Sequence, residues 1–453
     1  MAYIHKNETL SGWGRAPSAQ CLSYRPEKQR DLPQLLGEHR IGLVARGLGR
    51  SYGDAALNPE GVVRMERLDH CLAFDEDTGL LSAQAGVTLS DIMALFIPRG
   101  FLPPVIPGTR HVTLGGAFAS NVHGKNHLRM GDFAEHVTQV QLVLPTGERV
   151  SCSRDENAEL FWATAGGMGM TGIIESLTLR LRRIASASLE SVRYRVDSME
   201  DMIAAFEHYR ESHEYLVGWI DHMARGEALG QGIFEAANHA PAGDDALPFS
   251  DYTPPQSRLS VPFSAPSFLL NRMSMALYNK LRFRGATDER EHAIIDFSSF
   301  FHPLDRIGHW NRLYGARGFY QYQCVLPESP NIAAHLREFL ALIQQRGQFS
   351  FLAVLKAHRE SQGMLSFPLA GYSLALDFPS TDAVRALLPL LDEWVQSHGG
   401  RIYLAKDAAL SPDAFARMYG ARAEQWQAFI RALDPEARLS SLMSRRLQWK
   451  PAA

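Results

Sequence analysis

PGTRHVTLGGAFASNVHGKNH, residues 107–127, is the most informative stretch of this 453-residue chain. Its four glycines allow backbone conformations that other residues avoid, and they let the chain approach a bulky group closely. Threonine and serine hydroxyls lie between them, and His123, Lys125 and His127 follow at the far end. This mixture predicts a loop wrapped around the pyrophosphate and ring system of a large cofactor. A plain glycine-rich surface turn is the alternative.

A second glycine-rich loop, GLGRSYGD at 47–54, follows the apolar residues 41–45, which predict a buried strand. A strand that leads into such a turn predicts contacts between backbone N–H groups and phosphate. The spacing G-x-G-x-x-x-G is one residue longer than the Rossmann fingerprint, and NPEG at 58–61 follows where that motif requires a helix. We therefore exclude a Rossmann dinucleotide-binding unit.

Length and composition limit the class of protein. A chain of 453 residues exceeds the roughly 250–300 residues that one hydrophobic core usually serves, so two domains are expected. The net charge of −3 comes from interspersed charges and predicts no nucleic-acid partner. The four cysteines form no CxxC pair, which argues against a disulfide framework or a cysteine zinc site. The chain has neither a signal-peptide pattern nor an apolar membrane span, so we expect a cytoplasmic protein, with attachment to the inner face of the cytoplasmic membrane left open.

Apolar periodicity predicts mixed helices and strands before residue 183. A helix is expected over 88–98, with Thr88 or Ser90 as its N-cap, and a second helix over 155–162. Residues 137–145 and 148–152 predict a hairpin around the turn Pro-Thr-Gly. Further strands are expected over 61–65, 80–85 and 173–181.

The pattern changes after residue 183. Residues 240–268 predict a long loop or mobile flap, and 268–283 predict a core helix, with an amphipathic segment that touches lipid as the alternative. A β-α-β-β-α-β unit, typical of an antiparallel sheet with helices on one face, is expected next. Its strands are predicted at 319–326, 349–356, 372–378 and 402–405, its helices at 331–345 and 382–398, and a final helix at 412–433.

Several ordered motifs resemble one family. With the two glycine-rich loops, they are similar to flavin-dependent oxidoreductases of the vanillyl-alcohol oxidase class, which carry a PCMH-type FAD-binding domain. Within that class the chain resembles the decaprenylphosphoryl-β-D-ribose 2-oxidases of cell-wall arabinan synthesis. The supporting motifs are SGWGR at 11–15, ELFWAT at 159–164, TGII at 171–174, HPLD at 302–305, QYQ at 321–323 and AKD at 405–407.

The resemblance implies an α+β fold of two domains. An FAD-binding domain, residues 1–183 with the segment 401–453 returning to it, would carry an inserted substrate domain, 184–400, that contains the β-α-β-β-α-β unit. The 2-hydroxyl of a polyprenyl-phosphate-linked ribose would be oxidised to a ketone by hydride transfer to flavin N5. A separate NAD(P)H-dependent short-chain reductase would complete an epimerisation to arabinose. The alternatives are an aldonolactone or alditol oxidase that uses oxygen, and a non-catalytic sugar- or lipid-binding subunit.

The family's motifs also imply roles for individual residues. His123, Lys406 and Tyr52 would be catalytic, with an ordinary loop histidine and a surface lysine as the alternatives for the first two. Substrate contacts would come from Lys125, Leu304, Arg312, Gln323, Lys356 and Ser373, with an exposed ion pair as the alternative for Arg312. FAD would contact Gly47, Leu48, Gly49, Arg50, Ser51, Tyr52, Gly108, Thr109, Thr113, Gly115, Gly116, Ser120, Asn121, His123, Gly124, Ile174, Tyr403 and Lys406.

Three positions depart from the family pattern. Arg50 stands where many relatives carry a histidine bonded to the flavin, so a dissociable, non-covalent FAD is expected. Ala375 replaces the reactive cysteine of the mycobacterial enzymes, and His358 replaces an aromatic pocket residue. His123 and His127 have the four-residue spacing of helical metal ligands, but the glycine between them disfavours a helix, so no metal site is predicted.

Overall fold

The computed structural model describes residues 4–38, 42–243, 245–257, 259–266 and 269–450. Up to residue 183 it contains two main sheets and five α-helices. The strands are β1 His5–Ser11, β2 Ser18–Tyr24, β3 Val44–Arg46, β4 Val62–Arg64, β5 Cys71–Asp75, β6 Leu80–Gln84, β7 Phe101–Leu102, β8 Val137–Val143, β9 Arg149–Cys152, β10 Ile173–Arg180 and β11 Arg182–Arg183. The helices are α1 Asp31–Glu38, α2 Leu89–Phe96, α3 Leu114–Ala119, α4 His127–Met130 and α5 Ala158–Thr164.

The first sheet, in the order β1-β2-β4-β3, pairs β4 in parallel with both β2 and β3. The second sheet, β5-β6-β10-β8-β9, is antiparallel throughout. The glycine-rich loop that begins at Gly47 leaves the end of β3, and α3 follows Thr113 in the second loop. Buried side chains from both sheets share one hydrophobic cluster, which holds the starts of the two loops in place.

The middle of the chain builds one large sheet. Its strands are β12 Ser188–Val196, β13 Tyr215–Ile220, β14 Gly232–His239, β16 Glu291–Asp296, β18 Phe319–Pro327, β19 Ala353–His358, β20 Gly371–Pro379 and β21 Arg401–Ile402; β15 Leu259–Ser260 and β17 Ile307–Gly308 form a separate parallel pair. The eight strands run in the order β16-β12-β14-β13-β19-β20-β18-β21. The helices are α6 Met199–Tyr209, α7 Arg272–Arg284, α8 Phe297–Phe301, α9 Ile332–Gln345 and α10 Asp382–Ser397.

The two faces of the large sheet have different chemistry because side chains alternate along each strand. On β18, Tyr322 and Cys324 are buried in the cluster that also holds α6, α9 and α10. Gln321 and Gln323, one residue out of phase, point to the opposite face, where they line a cavity. One face is therefore hydrophobic core, and the other is a wall of the candidate site.

The last helices contact the first part of the chain. They are α11 Pro412–Tyr419, α12 Ala421–Leu433 and α13 Leu442–Arg446. The backbone of Leu43 bridges Leu439 in parallel, and the indole of Trp426 donates to the carbonyl of Ala163 at 2.9 Å. Arg446 binds the carboxylates of Asp54 and Asp407 at 2.8 and 2.9 Å. The domain limits at residues 183 and 400 stay a prediction.

Most predicted elements are confirmed. Strands at 61–65, 80–85 and 173–181 match β4, β6 and β10, and Thr88 rather than Ser90 caps α2 through a capping box with Asp91. The hairpin is β8 with β9. The order β18-α9-β19-β20-α10-β21 reproduces the predicted β-α-β-β-α-β unit, and α10 runs through Pro389. The start of the strand predicted at 41–45 lies outside the described residues.

Five predicted elements differ from the structure. The strand predicted over 402–405 is β21, which ends at Ile402, and Leu404–Lys406 form a 3-10 helix. The helix predicted over 155–162 begins at Ala158, and the strand predicted from 349 begins at Ala353. The single helix predicted over 412–433 is two helices, because Gly420 takes the left-handed backbone conformation (φ 56°) that ends α11. The core-helix interpretation of 268–283 is wrong: α7 buries only Met275 and Asn279 among its residues. Part of its apolar pattern, Met273, Leu277 and Leu281, is exposed. Residue 268, the first of the predicted helix, lies outside the described residues.

Two strands and one helix of the large sheet were not predicted. β14 and β16 both pair with β12, and α8 follows β16 directly. Residues 240–268, predicted as a long loop or mobile flap, contain in their described part the single-turn 3-10 helix Phe249–Asp251 and the two-residue β15. Residues 244, 258, 267 and 268 lie outside the described residues.

Candidate active site

A cavity of about 750 Å³ lies between the two glycine-rich loops and the polar face of the large sheet. Most of the predicted site residues line it, although they come from segments far apart in the chain. They are Gly47, Leu48, Gly49, Arg50, Ser51, Tyr52, Gly108, Thr109, Thr113, Gly115, Gly116, Ser120, His123, Lys125, Ile174, Leu304, Gln323, Lys356, Ser373, Tyr403 and Lys406.

Three predicted site residues lie outside the cavity lining. Asn121 is buried and donates to Asp132 at 3.0 Å while accepting from the backbone N–H of Ala134. At Gly124 a side chain would meet the carbonyl of Ile106 at 2.9 Å, so this glycine serves close backbone packing. Arg312 donates to the carbonyls of Val261 and Pro262 and thereby holds the 259–266 segment. An ion pair, the alternative for Arg312, is not formed with the described residues.

The loop at 47–51 exposes a run of free backbone donors. Its C-terminal end is held, because the backbone N–H of Trp13 donates to the carbonyl of Ser51 at 2.8 Å and the backbone N–H of Tyr52 donates to the carbonyl of Ala405 at 3.0 Å. Within the described chain, none of the N–H groups of residues 47–51 donates to a protein acceptor. Successive unpaired N–H groups in a turn form a concave site for an anion such as a phosphate.

The second glycine-rich loop packs against the first. Thr113 caps α3 by accepting from the N–H of Gly116 at 3.2 Å. A Cβ at Gly47 would lie 2.2 Å from the Thr113 hydroxyl oxygen, so only glycine permits this contact between the loops. A Cβ at Gly108, in contrast, would meet nothing within 4 Å, although this glycine lines the cavity. The backbone beside Gly108 is therefore open to a bound group.

Asp305, from the HPLD motif, fixes the start of the 107–127 stretch. Its carboxylate accepts from the Thr109 hydroxyl at 3.0 Å and from the N–H of Arg110 at 3.0 Å. The hydroxyl of Thr109, predicted to contact a cofactor, is thus already engaged by protein. The motif indicated the family but not this contact, because only folding brings residues so distant in sequence together.

His123 is buried beside the cavity in a group of aromatic rings. Its Nε2 lies 2.9 Å from the amide nitrogen of Gln323, and its ring lies 5.0 Å from the rings of both His358 and Tyr403, centroid to centroid. Burial, with the nearby cation of Lys356, holds the pKa of His123 well below its usual range. A neutral ring that accepts from Gln323 carries its hydrogen on Nδ1, and this atom has no partner among the described residues.

Three lysines project into the same cavity. Burial lowers the pKa of Lys406 to about 7, and the pKa values of Lys356 and Lys125 to about 8. The Lys125 ammonium donates to the carbonyl of Phe300, whereas no described acceptor binds those of Lys356 and Lys406. Three cations in a partly apolar cavity repel one another and gain most from an anionic ligand.

Lys406 is held by the first glycine-rich loop. Its ammonium lies 3.9 Å from the centre of the Tyr52 ring, close enough for a cation–π contact. A Cβ at Gly53 would fall 1.9 Å from the carbonyl oxygen of Asp407, so the two segments touch backbone to backbone. Arg446 forms ion pairs with both Asp54 and Asp407 and thereby links the two segments a second time.

The polar face of the large sheet supplies the opposite wall. Lys356 on β19 and Ser373 on β20 are cross-strand partners, as are Gln323 and Ala375. The Ser373 hydroxyl lies 2.7 Å from Nε2 of the buried His358. The histidine at this position, where the resemblance predicts an aromatic pocket residue, therefore forms a hydrogen bond with a residue of the cavity wall. Ala375 also lines the cavity and presents no thiol.

Arg50 lines the cavity at the position for which the family resemblance predicts a histidine in many relatives. Its guanidinium lies 3.9 Å from the centre of the Trp13 ring, a stacked cation–π contact. Arginine is neither a nucleophile nor deprotonated at ordinary pH. Trp13, from the SGWGR motif, therefore positions the Arg50 guanidinium at the cavity wall.

The cavity extends beyond the predicted residues along the large sheet. The members of this extension that lie on strands could have been predicted from the alternation of side chains along each strand. The two members on α7 could not, because no local sequence pattern marks them as cavity residues. The residues are Arg193, Trp219, Glu235, Glu291, Tyr278 and Arg282.

Two other features are absent from the described residues. Over the described ranges, no group of three or more His, Cys, Asp or Glu side chains could hold a metal ion. Within the same ranges, no helix has the length and apolar character needed to cross a bilayer.

Comparison with known proteins places the chain in a family. Residues 25–153 match the family model described as "FAD binding domain". Over 453 aligned residues the chain is 34% identical to decaprenylphosphoryl-β-D-ribose oxidase of Mycolicibacterium smegmatis, covering 97% of both chains. The chain belongs to the decaprenylphosphoryl-β-D-ribose oxidase family. It is an FAD-dependent oxidoreductase with the α+β fold of the PCMH-type FAD-binding class.

Other members of the wider class match less of the chain. A Streptomyces coelicolor protein encoded in the mprA 5′ region is 31% identical over 80% of this chain and 100% of its own length. L-Gulonolactone oxidase of Scyliorhinus torazame is 26% identical over 34% of this chain and 35% of its own length. The family membership therefore rests on the match that covers 97% of both chains. The similarity to L-gulonolactone oxidase covers only about a third of the chain.

The cavity fits FAD. The unpaired N–H groups of residues 47–51 and the open backbone at Gly108 suit a pyrophosphate. The cations of Lys406 and Lys356 suit negative charge on a reduced flavin ring. His123 Nδ1 is a buried donor without a protein partner at the cavity wall. These donors favour an anionic, hydrogen-bonding group of the kind that FAD provides.

Proposed function

We propose that this protein oxidises the 2-hydroxyl of a polyprenyl-phosphate-linked pentose, with ribose as the sugar, to a 2-keto sugar. This would be the first half of a two-enzyme epimerisation to arabinose. The observation that carries the proposal is one continuous cavity. It joins the glycine-rich loops to the polar side chains of Gln323 and Ser373 and to the cation of Lys356 on the large sheet. The full-length similarity to the Mycolicibacterium smegmatis oxidase supports the choice of sugar.

Bound FAD would supply the two-electron acceptor for the hydride of the sugar carbon. The chain's own residues would orient the sugar and handle charge. Gln323 and Ser373 would bind hydroxyl groups, and Lys356 and Lys125 would bind the phosphate. Protonated Lys406 would offset the negative charge that arises as the flavin is reduced, while the neutral ring of His123 would hold the sugar through its free nitrogen. The hydroxyl proton would leave to solvent through polar groups of the cavity.

Anaerobic mixing tests this function directly. The purified yellow protein should lose its flavin absorbance near 450 nm when a polyprenyl-phosphoryl ribose is added. The same polyprenyl phosphate without the sugar is the control and should leave the spectrum unchanged. If no ribosyl substrate bleaches the flavin, the proposal fails. Rapid peroxide formation with a simple sugar alcohol would favour the aldonolactone or alditol oxidase instead, and protein without flavin absorbance would favour a binding subunit.

We also propose that FAD is held without a covalent bond. Arg50, stacked on Trp13, offers no nucleophile at the position of the linking histidine. Acid or SDS denaturation should release all the yellow colour into the supernatant, because only folded backbone and side chains hold the cofactor. Flavin that stays with the precipitated polypeptide would contradict this prediction. A relative with histidine at this position provides the matched control, since its colour should stay in the pellet.

The proposed reaction implies a partner and a place in the cell. A ketone at the sugar's 2-position would need an NAD(P)H-dependent short-chain reductase to deliver hydride from the other face. A polyprenyl phosphate is anchored in a bilayer, so the proposal locates the protein in the cytoplasm, at the inner face of the cytoplasmic membrane.

A further inference from the structure

Helix α7 exposes an apolar stripe. Met273, Leu277 and Leu281 follow each other at four-residue spacing and are 83%, 59% and 62% exposed. Leu269, just before the helix, is 51% exposed. Scattered exposed leucines are ordinary on protein surfaces, but a continuous stripe of them marks a contact surface.

The helix is well held on its other side. Asn279 donates to the carboxylate of Asp221 at 2.8 Å, and Met275 is buried. Phe283 packs with Trp219 and Ile233 of the large sheet. Since these contacts hold α7 against the sheet, the apolar stripe is a stable feature of the surface and is directed outward.

The charged residues of the helix that carries the stripe all have one sign. Arg272, Lys280 and Arg284 are exposed on the same helix, and no aspartate or glutamate occurs between residues 269 and 285. The whole chain carries a net charge of −3, so this segment differs from the rest of the molecule. Basic side chains that flank exposed leucine and methionine match an anionic lipid surface, where the apolar groups enter the acyl layer and the cations meet headgroups.

The stripe also lies on the same helix as two residues that line the candidate site. Tyr278 and Arg282, on α7 itself, line the cavity that reaches back to Lys356 and the glycine-rich loops. The helix therefore has one set of side chains at the cavity and another directed outward. A surface on which α7 rested would lie next to the cavity.

We propose that α7 docks this protein on a bilayer rich in anionic phospholipid, with Met273, Leu277 and Leu281 inserted among the acyl chains. The docked helix brings the cavity to the membrane, so that a lipid-linked sugar reaches Lys356 while its polyprenyl chain stays in the bilayer. This second consequence rests on the proposed function; the docking itself rests on the stripe and its charge.

Vesicle sedimentation of the flavin-loaded full-length protein tests the docking. The protein should pellet with vesicles of equal parts phosphatidylcholine and phosphatidylglycerol, more weakly with pure phosphatidylcholine, and less as salt is raised. The double variant Leu277→Glu/Leu281→Glu should lower the partition coefficient on the mixed vesicles by roughly tenfold or more, because two charges replace two inserted apolar groups. The matched control is Leu95→Glu on α2, 44% exposed in the wild type, which should pellet like the wild type.

Activity measurements separate this proposal from the proposed function. A water-soluble, short-chain prenyl-phosphoryl ribose should bleach the flavin of the double variant as in the wild type. A long-chain substrate in vesicles should bleach the variant far more slowly. Vesicle binding without bleaching by any substrate would contradict the proposed function and support the docking. Bleaching without vesicle binding would support the proposed function and contradict the docking.

Two outcomes would overturn the docking proposal. One is equal sedimentation of the wild type, the double variant and Leu95→Glu. The other is absence of vesicle binding together with a dimer that Leu277→Glu/Leu281→Glu splits into monomers on analytical ultracentrifugation, since the stripe would then be covered by a second copy of the chain.

Discussion

Replacing Lys406 by methionine should lower the rate of flavin reduction by about 10²–10³-fold, with flavin content unchanged. The ammonium lies in the cavity against Tyr52, and the nearby buried carboxylate of Asp377 favours its charged form. The cation is therefore in place to offset negative charge that develops on the cavity side during the reaction. Stopped-flow absorbance under anaerobic conditions measures the rate. Lys28→Met, at an exposed lysine of the same charge, is the matched control and should behave as the wild type.

The pH dependence gives this prediction a second readout. Burial lowers the pKa of Lys406 to about 7, so its charge is present below that value and lost above it. The reduction rate should fall as the pH rises past about 7, and a bound anionic substrate should move this fall upward because it stabilises the cation. Lys406→Met should lose this limb of the profile. A variant that keeps both the wild-type rate and the wild-type profile would show that Lys406 has no part in the reaction.

The second large effect concerns stability. Lys450→Met should lower the free energy of unfolding by about 3–5 kcal/mol, because it leaves a buried carboxylate without its cation. The Lys450 ammonium lies 2.5 Å from Asp434 and also donates to the carbonyls of Leu439 and Met170, at 3.0 and 3.2 Å. Both members of this ion pair are buried. The pair thus ties the end of the chain to the segment before β10.

Urea unfolding followed by tryptophan fluorescence measures this effect. Arg422→Met is the control, since its partner Glu360 lies 3.2 Å away in a solvent-exposed pair, and such pairs contribute about 0–1 kcal/mol. Adding Asp434→Asn to Lys450→Met should restore part of the loss, because it removes the unpaired charge. Equal effects at Lys450 and Arg422 would contradict the prediction.

The local features of the fold could be predicted from the sequence. Alternation along β18 and β20 and the order of the β-α-β-β-α-β unit depend on neighbouring residues, so periodicity indicates them. The strands β14 and β16 were not predicted, because both pair with β12 across long loops. Gly420 was not recognised as a helix break, since a glycine near the middle of a helical pattern is tolerated in many helices.

The candidate site likewise has features that the sequence predicts and contacts that it does not. The glycine-rich loops at 47–54 and 107–127 are visible because each concentrates an unusual composition in a few residues. The carboxylate of Asp305 on Thr109, and the contact of Gly53 with Asp407, join segments far apart in the chain. No local pattern records either contact.

By itself the sequence determined the class of the protein, because ordered motifs along the whole chain indicated an FAD-dependent oxidoreductase. The non-covalent attachment of the cofactor, expected from Arg50, stays a prediction. Only the tertiary structure decided what the 107–127 stretch faces, which is a cavity that also receives Lys406 and Lys356. It also decided that α7 is a surface helix. The physical reason is that the pKa of a lysine and the burial of a leucine depend on neighbours brought together by folding, whereas the conformational freedom of glycine and the alternation of a strand are properties of the local chain.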